Sequence, residues 1–492
     1  MQPSPMDVSA SHRPAYSAAA VAALEAQVAR DLATIEVGLR EWVPERRRTS
    51  GEAISDVVIV GAGLSGLSVA FGLKRQGVQR ILLIDAAPEG REGPWITTAR
   101  MHTLRSPKTL TGPDLGIPSL TYRAWHETTY GSQHWETLNK IDRIDWMAYL
   151  GWFRSVLALN VCNDTKLIRI EPDEGHLRLL VEREGVLGEL SCRKVVLATG
   201  LEGAGSLNVP DAIRENLPRQ HWTHSGDEID AGFFVGKRIG VLGAAASSFD
   251  WAVAALEAGA ESVTVLARST VLPRTELLDW SNFPGFLNHF ADLDDHSRYR
   301  FARRMFAFKT PPTNEMFNRA MAHEACRLVT DASVRSVAME GEKICIGTAA
   351  GDFRFDHLLL GTGYRVDLSC RPELSNLIGS VATWEDRFIP NEGEDDRDLL
   401  AYPYLGPAFE FLEKTPGSLP MLANIHVFNN AAVPSLGPVC NGITGLKSGV
   451  PKLVSGICRG LFKADIEHFY RSLDGYDKIH FQPEYCFDGG AA

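Results

Sequence analysis

The chain has 492 residues, which exceeds the size that a single hydrophobic core usually supports, so at least two domains are expected. Its composition, 45% hydrophobic and 23% charged, is that of a globular protein and excludes a disordered or fibrous chain. The net charge of −11, from 50 basic and 61 acidic residues, argues against a nucleic-acid-binding surface.

Targeting and redox features point to the cytoplasm. The N-terminus lacks the basic start and apolar core of a signal peptide, and no run of about 18 apolar residues predicts a membrane span. The eight cysteines include no C-x-x-C pair, which favours reduced thiols over a disulfide framework or a zinc site. We therefore expect a cytoplasmic protein without nucleic-acid or membrane partners; the sequence leaves a homo-oligomer open.

The N-terminal extension is predicted to be helical. Apolar residues at spacings of three or four, beginning with Val21, Leu24 and Val28, predict a helix within residues 17–42. The stretch "PERRRTSGE" that follows is typical of a linker, and its three arginines are interpreted as a solvated run.

A glycine-rich turn follows between two predicted strands, "DVVIVG" and "RILLID". Gly61 permits the tight turn, Gly63 lets the backbone approach a pyrophosphate, and Gly66 allows close packing of strand and helix. The helix N-terminus faces the phosphate charge. Asp85 ends the next strand, where an acid can accept hydrogen bonds from ribose hydroxyls. This β-α-β unit predicts a dinucleotide site suited to FAD.

The middle of the chain changes to other patterns. Residues 145–159 are predicted to be helical, and residues 166–199 alternate like antiparallel strands. Two strands end in similar sequences, "KVVLATG" at 194–200 and "FRFDHLLLGTGY" at 353–364.

A second glycine-rich turn occurs in "RIGVLGAAASSFDWA", residues 238–252. Gly243 is kept, but Ala245 stands where the backbone should approach a phosphate. Ser247 and Ser248 follow and add hydroxyl donors. A β-α turn without a ligand is the alternative interpretation.

The strand after this second turn ends in Arg268 and Ser269 instead of an acid. An arginine there suits a 2′-phosphate better than a free ribose hydroxyl, so the second site is predicted to bind NADPH. A chain with both sites can move a hydride from nicotinamide to flavin. Reductases with this plan use a redox cysteine pair, and none is present at a workable spacing. The electrons are therefore expected to go to oxygen.

Residues 55–450 resemble the class B flavoprotein monooxygenases, which include flavin-containing monooxygenases, Baeyer–Villiger monooxygenases and amine N-hydroxylases. The motifs that carry the resemblance are "GAGLSG", "EGPW" at 92–95, "LATG" at 197–200, the turn at 243 with Arg268, and "LGTGY" at 360–364. The resemblance implies that NADPH reduces FAD and that O2 is captured as a C4a-(hydro)peroxyflavin. One oxygen atom then enters a small-molecule substrate.

The fold class that follows is α/β, with two Rossmann-like dinucleotide-binding domains and the NADPH domain inserted into the FAD domain. The expected boundaries are an N-terminal extension (1–50), the first part of the FAD domain (51–205), the NADPH domain (206–349), the second part of the FAD domain (350–465) and a C-terminal tail (466–492). Residues 276–325 of the NADPH domain are rich in aromatic residues. They are interpreted either as a mobile wall over the flavin or as ordinary helical packing.

Three stretches resemble the N-hydroxylases in particular: "TLRSPKT" (103–109), "DWMAYLGWF" (145–153) and "TPPTNEMFN" (310–318). By this resemblance Asn314 contacts the amine substrate or the nicotinamide; capping of a helix is its alternative role. The lysine that N-hydroxylases place before T-L-R matches Ala99, and the neighbouring Arg100 is a candidate substrate contact or a surface ion-pair partner. N-hydroxylation of an amine is the leading expectation.

Further candidate cofactor residues in the motifs that carry the resemblance are Trp95, Arg105, Thr199, Gly200, Thr362 and Gly363. The segment "SLGPVCNGITGLKSG" (435–449) is expected to return to the flavin ring at a helix start, which would place Gly437 and the residues from Asn441 to Thr444 near its carbonyl edge. No catalytic side chain is assigned, because the reagent is formed on the flavin. Baeyer–Villiger or S-oxygenation is the rival chemistry, although "PRQHWTH" keeps only His224 of the Baeyer–Villiger fingerprint. An NADPH oxidase with a weak second nucleotide site is the other rival.

Overall fold

Two β-sheets, one mixed and one entirely parallel, organise the chain, and each lies beside one of the two glycine-rich turns. The structure is a computed structural model, and it describes residues 18–38, 40–440 and 442–481. We call the part built on the sheet next to Gly61 the first unit, and the part built on the sheet next to Gly243 the second unit.

The strands of the described residues are β1 (Arg46–Arg47), β2 (Ala53–Val60), β3 (Ile81–Ile84), β4 (Val161–Cys162), β5 (Thr165–Asp173), β6 (His176–Arg183), β7 (Val186–Leu197), β8 (Gly205–Leu207), β9 (Trp222–His224), β10 (Arg238–Leu242), β11 (Ser262–Leu266), β12 (Cys326–Val329), β13 (Val334–Glu340), β14 (Lys343–Thr348), β15 (Gly351–Phe355), β16 (His357–Leu360), β17 (Tyr364–Val366) and β18 (Ile425–Val427).

The α-helices are α1 (Ala18–Thr34), α2 (Leu64–Arg75), α3 (Tyr122–Tyr130), α4 (Ser132–Thr137), α5 (Arg143–Val156), α6 (Asp211–Asn216), α7 (Ala246–Glu257), α8 (Leu277–Trp280), α9 (Pro284–His289), α10 (Asp295–Ala307), α11 (Asn314–Met321), α12 (Trp384–Arg387), α13 (Arg397–Leu400), α14 (Val433–Leu436), α15 (Leu446–Ala464) and α16 (Ile466–Asp474). None of these helices is long and apolar enough to cross a bilayer.

The first sheet has the strand order β4-β3-β2-β7-β6-β5. Its centre is β2, where Val57–Val60 are buried between the parallel neighbours β3 and β7. A continuous β-branched run suits a strand that is covered on both faces. The predicted antiparallel strands are confirmed as β5, β6 and β7. Late in the chain, β18 returns to pair with β7 through Ile425 and Val195.

The second sheet is entirely parallel, in the order β12-β11-β10-β16-β9. Because β16 pairs with β10 (Ile239 with His357), this unit extends to residue 360. The boundary expected at 349 therefore falls inside the unit, since the strand that ends in "LGTG" belongs to the second sheet. The short pair β8 and β17 forms where the chain enters the second unit and returns from it. The α/β class with one dinucleotide-binding unit inserted in the other is confirmed.

Helices form where the sequence predicts them. The N-terminal helix α1 buries Val21 and Val28. Helix α5 confirms the segment predicted at 145–159 as far as Val156. Asp142 caps its start, and the Asp142 side chain accepts a hydrogen bond from the Ile144 N–H at 2.7 Å.

The arginine run of the linker is engaged in ion pairs instead of being only solvated. Arg46 reaches the buried carboxylate of Asp465 at 2.5 Å, and Arg193 contacts the same carboxylate at 2.7 Å. Arg48 pairs with Asp173 at 3.3 Å. These contacts fix the N-terminal strand on the first unit and on the start of α16.

Candidate functional site

The first glycine turn needs glycine at two of its three positions. Gly61 has φ +101°, and a Cβ there would lie 2.4 Å from the Ala198 carbonyl oxygen. A Cβ at Gly66 would lie 1.8 Å from the Gly61 carbonyl oxygen. Gly63 has an ordinary negative φ, and the Cα of Gly93 lies 3.6 Å from its ideal Cβ position. The "EGPW" segment therefore closes over the turn.

Asp85 holds this turn through backbone hydrogen bonds. Its Oδ2 accepts from the Ala62 N–H at 2.7 Å and its Oδ1 from the Ala87 N–H at 2.8 Å. Burial raises the pKa of this carboxyl, and the two N–H donors oppose the rise. Each carboxylate oxygen has a second lone pair, so the expected role toward a ribose is compatible with these bonds.

A cavity of about 360 Å³ adjoins the turn. Helix α5 forms one wall, and the opposite wall is formed by the turn and the segment 89–92. The lining residues include Ala62, Gly63, Glu89, Glu92, Ile144, Met147, Ala148, Gly151 and Arg154. Arg154 bonds to the buried Glu92 at 3.0 Å. A cavity of this size beside a helix N-terminus fits the adenosine diphosphate half of FAD.

This face of α5 was not among the residues predicted for the site. Its signal was the spacing of small and apolar residues at Ile144, Met147, Ala148 and Gly151, which places them on one side of a helix.

The segment before α15 returns to the first turn. The Ser65 hydroxyl donates to the Cys440 carbonyl at 3.4 Å. Thr444 is half-buried in this segment, whereas Asn441 lies outside the described residues. The indole N–H of Trp95 is buried without a partner among the described residues, so a donor is available close to the turn.

The strand end "LATG" supports this site from behind. The Thr199 hydroxyl accepts from the Asn429 amide at 3.0 Å and donates to the Gly203 carbonyl at 3.3 Å. Gly200 has φ +73° and is exposed. Ala198, the residue before Thr199, contacts Gly61.

The second turn keeps the backbone conformation of the first. Gly243 has φ +112°, close to the value at Gly61. Ala245 has φ −89° and ψ −177°, and its counterpart Gly63 has φ −70° and ψ −170°. Because this position never needs a positive φ, alanine occupies it without strain. The loss of the middle glycine therefore leaves the turn intact.

Ser248 occupies the position in the second turn that Gly66 occupies in the first. The glycine lies instead at Gly361, directly after β16. Ser248 is fully buried, and a Cβ on Gly361 would lie 2.1 Å from its Oγ. Gly361 thus makes room for a side chain that Gly66 lacks in the first turn. The expectation that Ser248 donates to a phosphate is not supported, because its hydroxyl faces Gly361. Ser247 is exposed at the first turn of α7.

Arg268 and Ser269 are exposed after β11. The Arg268 side chain makes no hydrogen bond or ion pair with the residues that the structure describes, so its guanidinium is free for a ligand. The Thr310 carbonyl accepts from the Ala246 N–H at 3.0 Å, which brings the segment 310–314 to the mouth of the turn. Asn314 is exposed at the start of α11. The helix cap is Thr313, so the capping alternative for Asn314 is wrong.

Three residues that were predicted to contact a cofactor or the substrate make contacts within the protein instead. Arg100 donates to the carbonyls of Thr97, Ala99 and Ile229, and therefore lies at the boundary between the units. Arg105 pairs with Asp250 of α7 at 2.5 Å. Thr362 donates to the Asn208 carbonyl at 2.5 Å, in the connection between the units.

Gly363 belongs to the same connection, because its carbonyl accepts from the Asn208 N–H at 2.9 Å. His224 is fully buried and accepts from the Gly226 N–H at 3.0 Å. It therefore has a structural hydrogen-bonding role.

The aromatic segment packs mainly as helices on the first unit. Phe286, Phe290 and Tyr299 are buried, and Phe290 contacts Gly437. Trp280 and Phe283 are more than two-fifths exposed. Ordinary helical packing therefore accounts for most of this segment.

Comparisons with known proteins agree with this geometry. A family model described as FAD-NAD(P)-binding matches residues 58–202. The FAD-dependent urate hydroxylase of Xanthomonas campestris pv. campestris is 40% identical over 94% of this chain and 97% of that protein. The chain belongs to the class B flavoprotein monooxygenases.

Solved structures share the fold of this monooxygenase at low identity. The ornithine N-hydroxylase of Kutzneria sp. 744 is 16% identical, with a TM-score of 0.63 over 83% of this chain and 99% of that chain. The L-lysine 6-monooxygenase of Pseudomonas syringae is 17% identical, with a TM-score of 0.61 over 82% and 99%.

FAD and a nicotinamide dinucleotide are the cofactors of this monooxygenase. Bound together, these cofactors would supply the reduction of O2 that transfers one of its oxygen atoms to a small molecule. The first turn, Asp85 and the α5 cavity fit FAD. The second turn, Ser247 and Arg268 fit NADPH, because they offer helix N–H groups, a hydroxyl and an unpaired cation to its phosphates.

Proposed function

We propose that this monooxygenase hydroxylates urate or a closely related oxidised purine. The observation that carries the proposal is the 40% identity with a urate hydroxylase over 94% of the chain, a likeness that includes both units. One oxygen atom of O2 enters the purine and the other leaves as water. Two electrons come from NADPH.

The segment before "TLR" supports a purine over an amino acid. The lysine of the N-hydroxylases is replaced by Ala99, and the guanidinium of Arg100 is bound to three backbone carbonyls. No cation of this segment is then left for an α-carboxylate. Urate has neither a primary amine nor an α-carboxylate, so it does not need these contacts.

N-hydroxylation of an amine is the second candidate, and Asn314 is the observation that favours it. Its side chain is exposed beside the second turn and does not cap α11. A free amide there can hydrogen-bond to an amine that must be neutral to react. The residue lies in the stretch that resembles the N-hydroxylases.

A substrate panel tests both candidates. FAD-loaded enzyme is mixed with NADPH and with urate, xanthine, ornithine, lysine, cadaverine, a sulfide or a ketone. NADPH loss, substrate loss and hydrogen peroxide are measured together. We expect urate to be consumed one for one with NADPH, with little peroxide. Peroxide equal to NADPH with every compound would instead identify an oxidase.

Asn314→Ala distinguishes the two candidate functions. Asn318→Ala is its control, because Asn318 is also exposed and lies on the same helix. If an amine is the substrate, only the first variant raises the KM for that amine. If urate is the substrate, neither variant changes the coupling of NADPH to product.

A further inference from the structure

The boundary between the two units is bridged beside the second nucleotide turn. Residues 100–105, which we call the bridging segment, belong to the first unit and contact α7 of the second unit. The Arg100 guanidinium lies 4.3 Å from the ring centroid of Trp251. His102 Nε2 and Glu257 Oε2 are 3.2 Å apart. Arg105 Nη2 and Asp250 Oδ2 are 2.5 Å apart.

These contacts come from two adjoining sides of α7. Asp250 and Glu257 are seven residues apart and lie on one side of the helix, two turns apart, whereas Trp251 lies about 100° further round. The opposite partners are all basic or imidazole side chains. Helix α7 therefore presents an acidic and aromatic face to a basic segment of the first unit.

The bridging segment is itself fixed on the FAD side. The Leu104 N–H donates to the Ile141 carbonyl at 2.7 Å, and the Arg143 N–H donates to the His102 carbonyl at 3.1 Å. Ile141 and Arg143 flank the cap of α5, the helix that lines the FAD cavity. A continuous set of contacts thus connects the FAD cavity to the helix whose N-terminus faces the NADPH phosphates.

Asp250 is the central acid of this connection. Its side chain is 5% exposed, compared with 35% for Arg105. Asp250 Oδ1 and Arg105 Nε are buried without partners among the described residues. Loss of Arg105 would leave the Asp250 carboxylate buried and uncompensated.

We propose that Asp250 is a positioning residue for electron transfer between the cofactors. Hydride transfer moves two electrons and one proton from NADPH to FAD and requires the two ring systems in contact. The two nucleotides are held by separate units, so the orientation of α7 toward the bridging segment sets their distance. Asp250 fixes that orientation through Arg105.

The test compares Asp250→Asn with Glu228→Gln as a matched control. Glu228 pairs with Arg91 across the same boundary, but both side chains are more than two-fifths exposed. Flavin bleaching by NADPH is followed by anaerobic rapid mixing. We expect the limiting rate of D250N to fall roughly ten- to hundredfold, with the Kd for NADPH little changed, because a small misplacement of reacting groups costs that much. E228Q keeps the wild-type rate.

Hydrogen exchange supplies a readout that is independent of turnover. In D250N, exchange is expected to rise in residues 100–105 and in α7, while FAD content and the exchange of β2 stay unchanged. Asp250→Glu, which keeps the charge, is expected to restore part of the rate.

An unchanged limiting rate in D250N would overturn the proposal. So would a raised Kd for NADPH without a change in rate, because that result assigns Asp250 to nucleotide binding. If D250N fails to retain FAD, Arg105→Gln decides in the same assays: a wild-type reduction rate there overturns the proposal, and a slow rate with retained FAD supports it.

Discussion

The close approach of Ser248 to Gly361 leads to a quantitative prediction. A Cβ added at Gly361 would lie 2.1 Å from Ser248 Oγ, 3.0 Å from its Cβ and 3.2 Å from its Cα. The serine is fully buried in α7. We expect Gly361→Ala to destabilise the second unit by about 1–3 kcal/mol through overpacking.

The double variant Ser248→Gly/Gly361→Ala reproduces the arrangement of the first turn, in which the glycine, Gly66, lies in the helix. Ser248→Gly alone is expected to cost about 0.5–1 kcal/mol, because glycine lowers helix stability. In the presence of Gly361→Ala it also removes the two closest contacts. The double-mutant cycle should therefore give a favourable coupling of about 1–3 kcal/mol.

Urea unfolding of the four proteins, with hydrogen exchange of α7 to report on the second unit, measures this coupling. Ser247→Gly is the matched control, since Ser247 is the adjacent helical residue but is exposed. It carries the same loss of helix propensity and no contact with Gly361. Additive free energies for Ser248→Gly and Gly361→Ala would refute the packing argument.

Three further outcomes follow from the structure. Gly66→Ala should give protein without bound FAD, because the new Cβ would lie 1.8 Å from the Gly61 carbonyl oxygen; Gly379→Ala, with open space around its Cβ, should keep the flavin absorbance. Arg268→Ala should raise the KM for NADPH roughly ten- to hundredfold and leave that for NADH unchanged, since only the 2′-phosphate loses a charge-assisted bond; equal effects on both coenzymes would exclude this role. Burial lowers the pKa of His357 from 6.5 to about 4, so the neutral imidazole contributes stability above pH 6.5 that is lost as the pH falls toward 4. Replacing His357 with Gln should reduce the loss of the free energy of unfolding between pH 6.5 and 4 by at most about 3 kcal/mol, as measured by urea unfolding. An unchanged pH profile would show that His357 does not cause this loss.

The elements that the sequence predicted are those with a local signal. The strand before Gly61, the helix after it and the repeat of that pattern at Gly243 are each contained in about fifteen residues, and the structure confirms them. The position of β16 was missed because it depends on pairing with β10, more than 100 residues earlier.

The roles of side chains at the unit boundary also depended on distant partners. Arg105 and Asp250 are 145 positions apart, and no periodicity within either segment predicts that they meet. The same limit applies to Ser248, since its environment is set by Gly361 of another strand. Arg268, in contrast, stays unpaired at the end of its strand, and there the local pattern was enough to propose a role.

The late arrival of β18 has a consequence for biosynthesis. Lys194, beside the start of the β7–β18 pairing, bonds to Asn424, which the ribosome adds 230 residues later. The second unit is continuous in sequence and can fold on the emerging chain, whereas the first sheet has to wait for its last strand. Chains terminated before Ile425 would leave the last residues of β7, Val195–Leu197, with an open edge, which favours aggregation. We therefore expect flavin to load only after β18 has been synthesised.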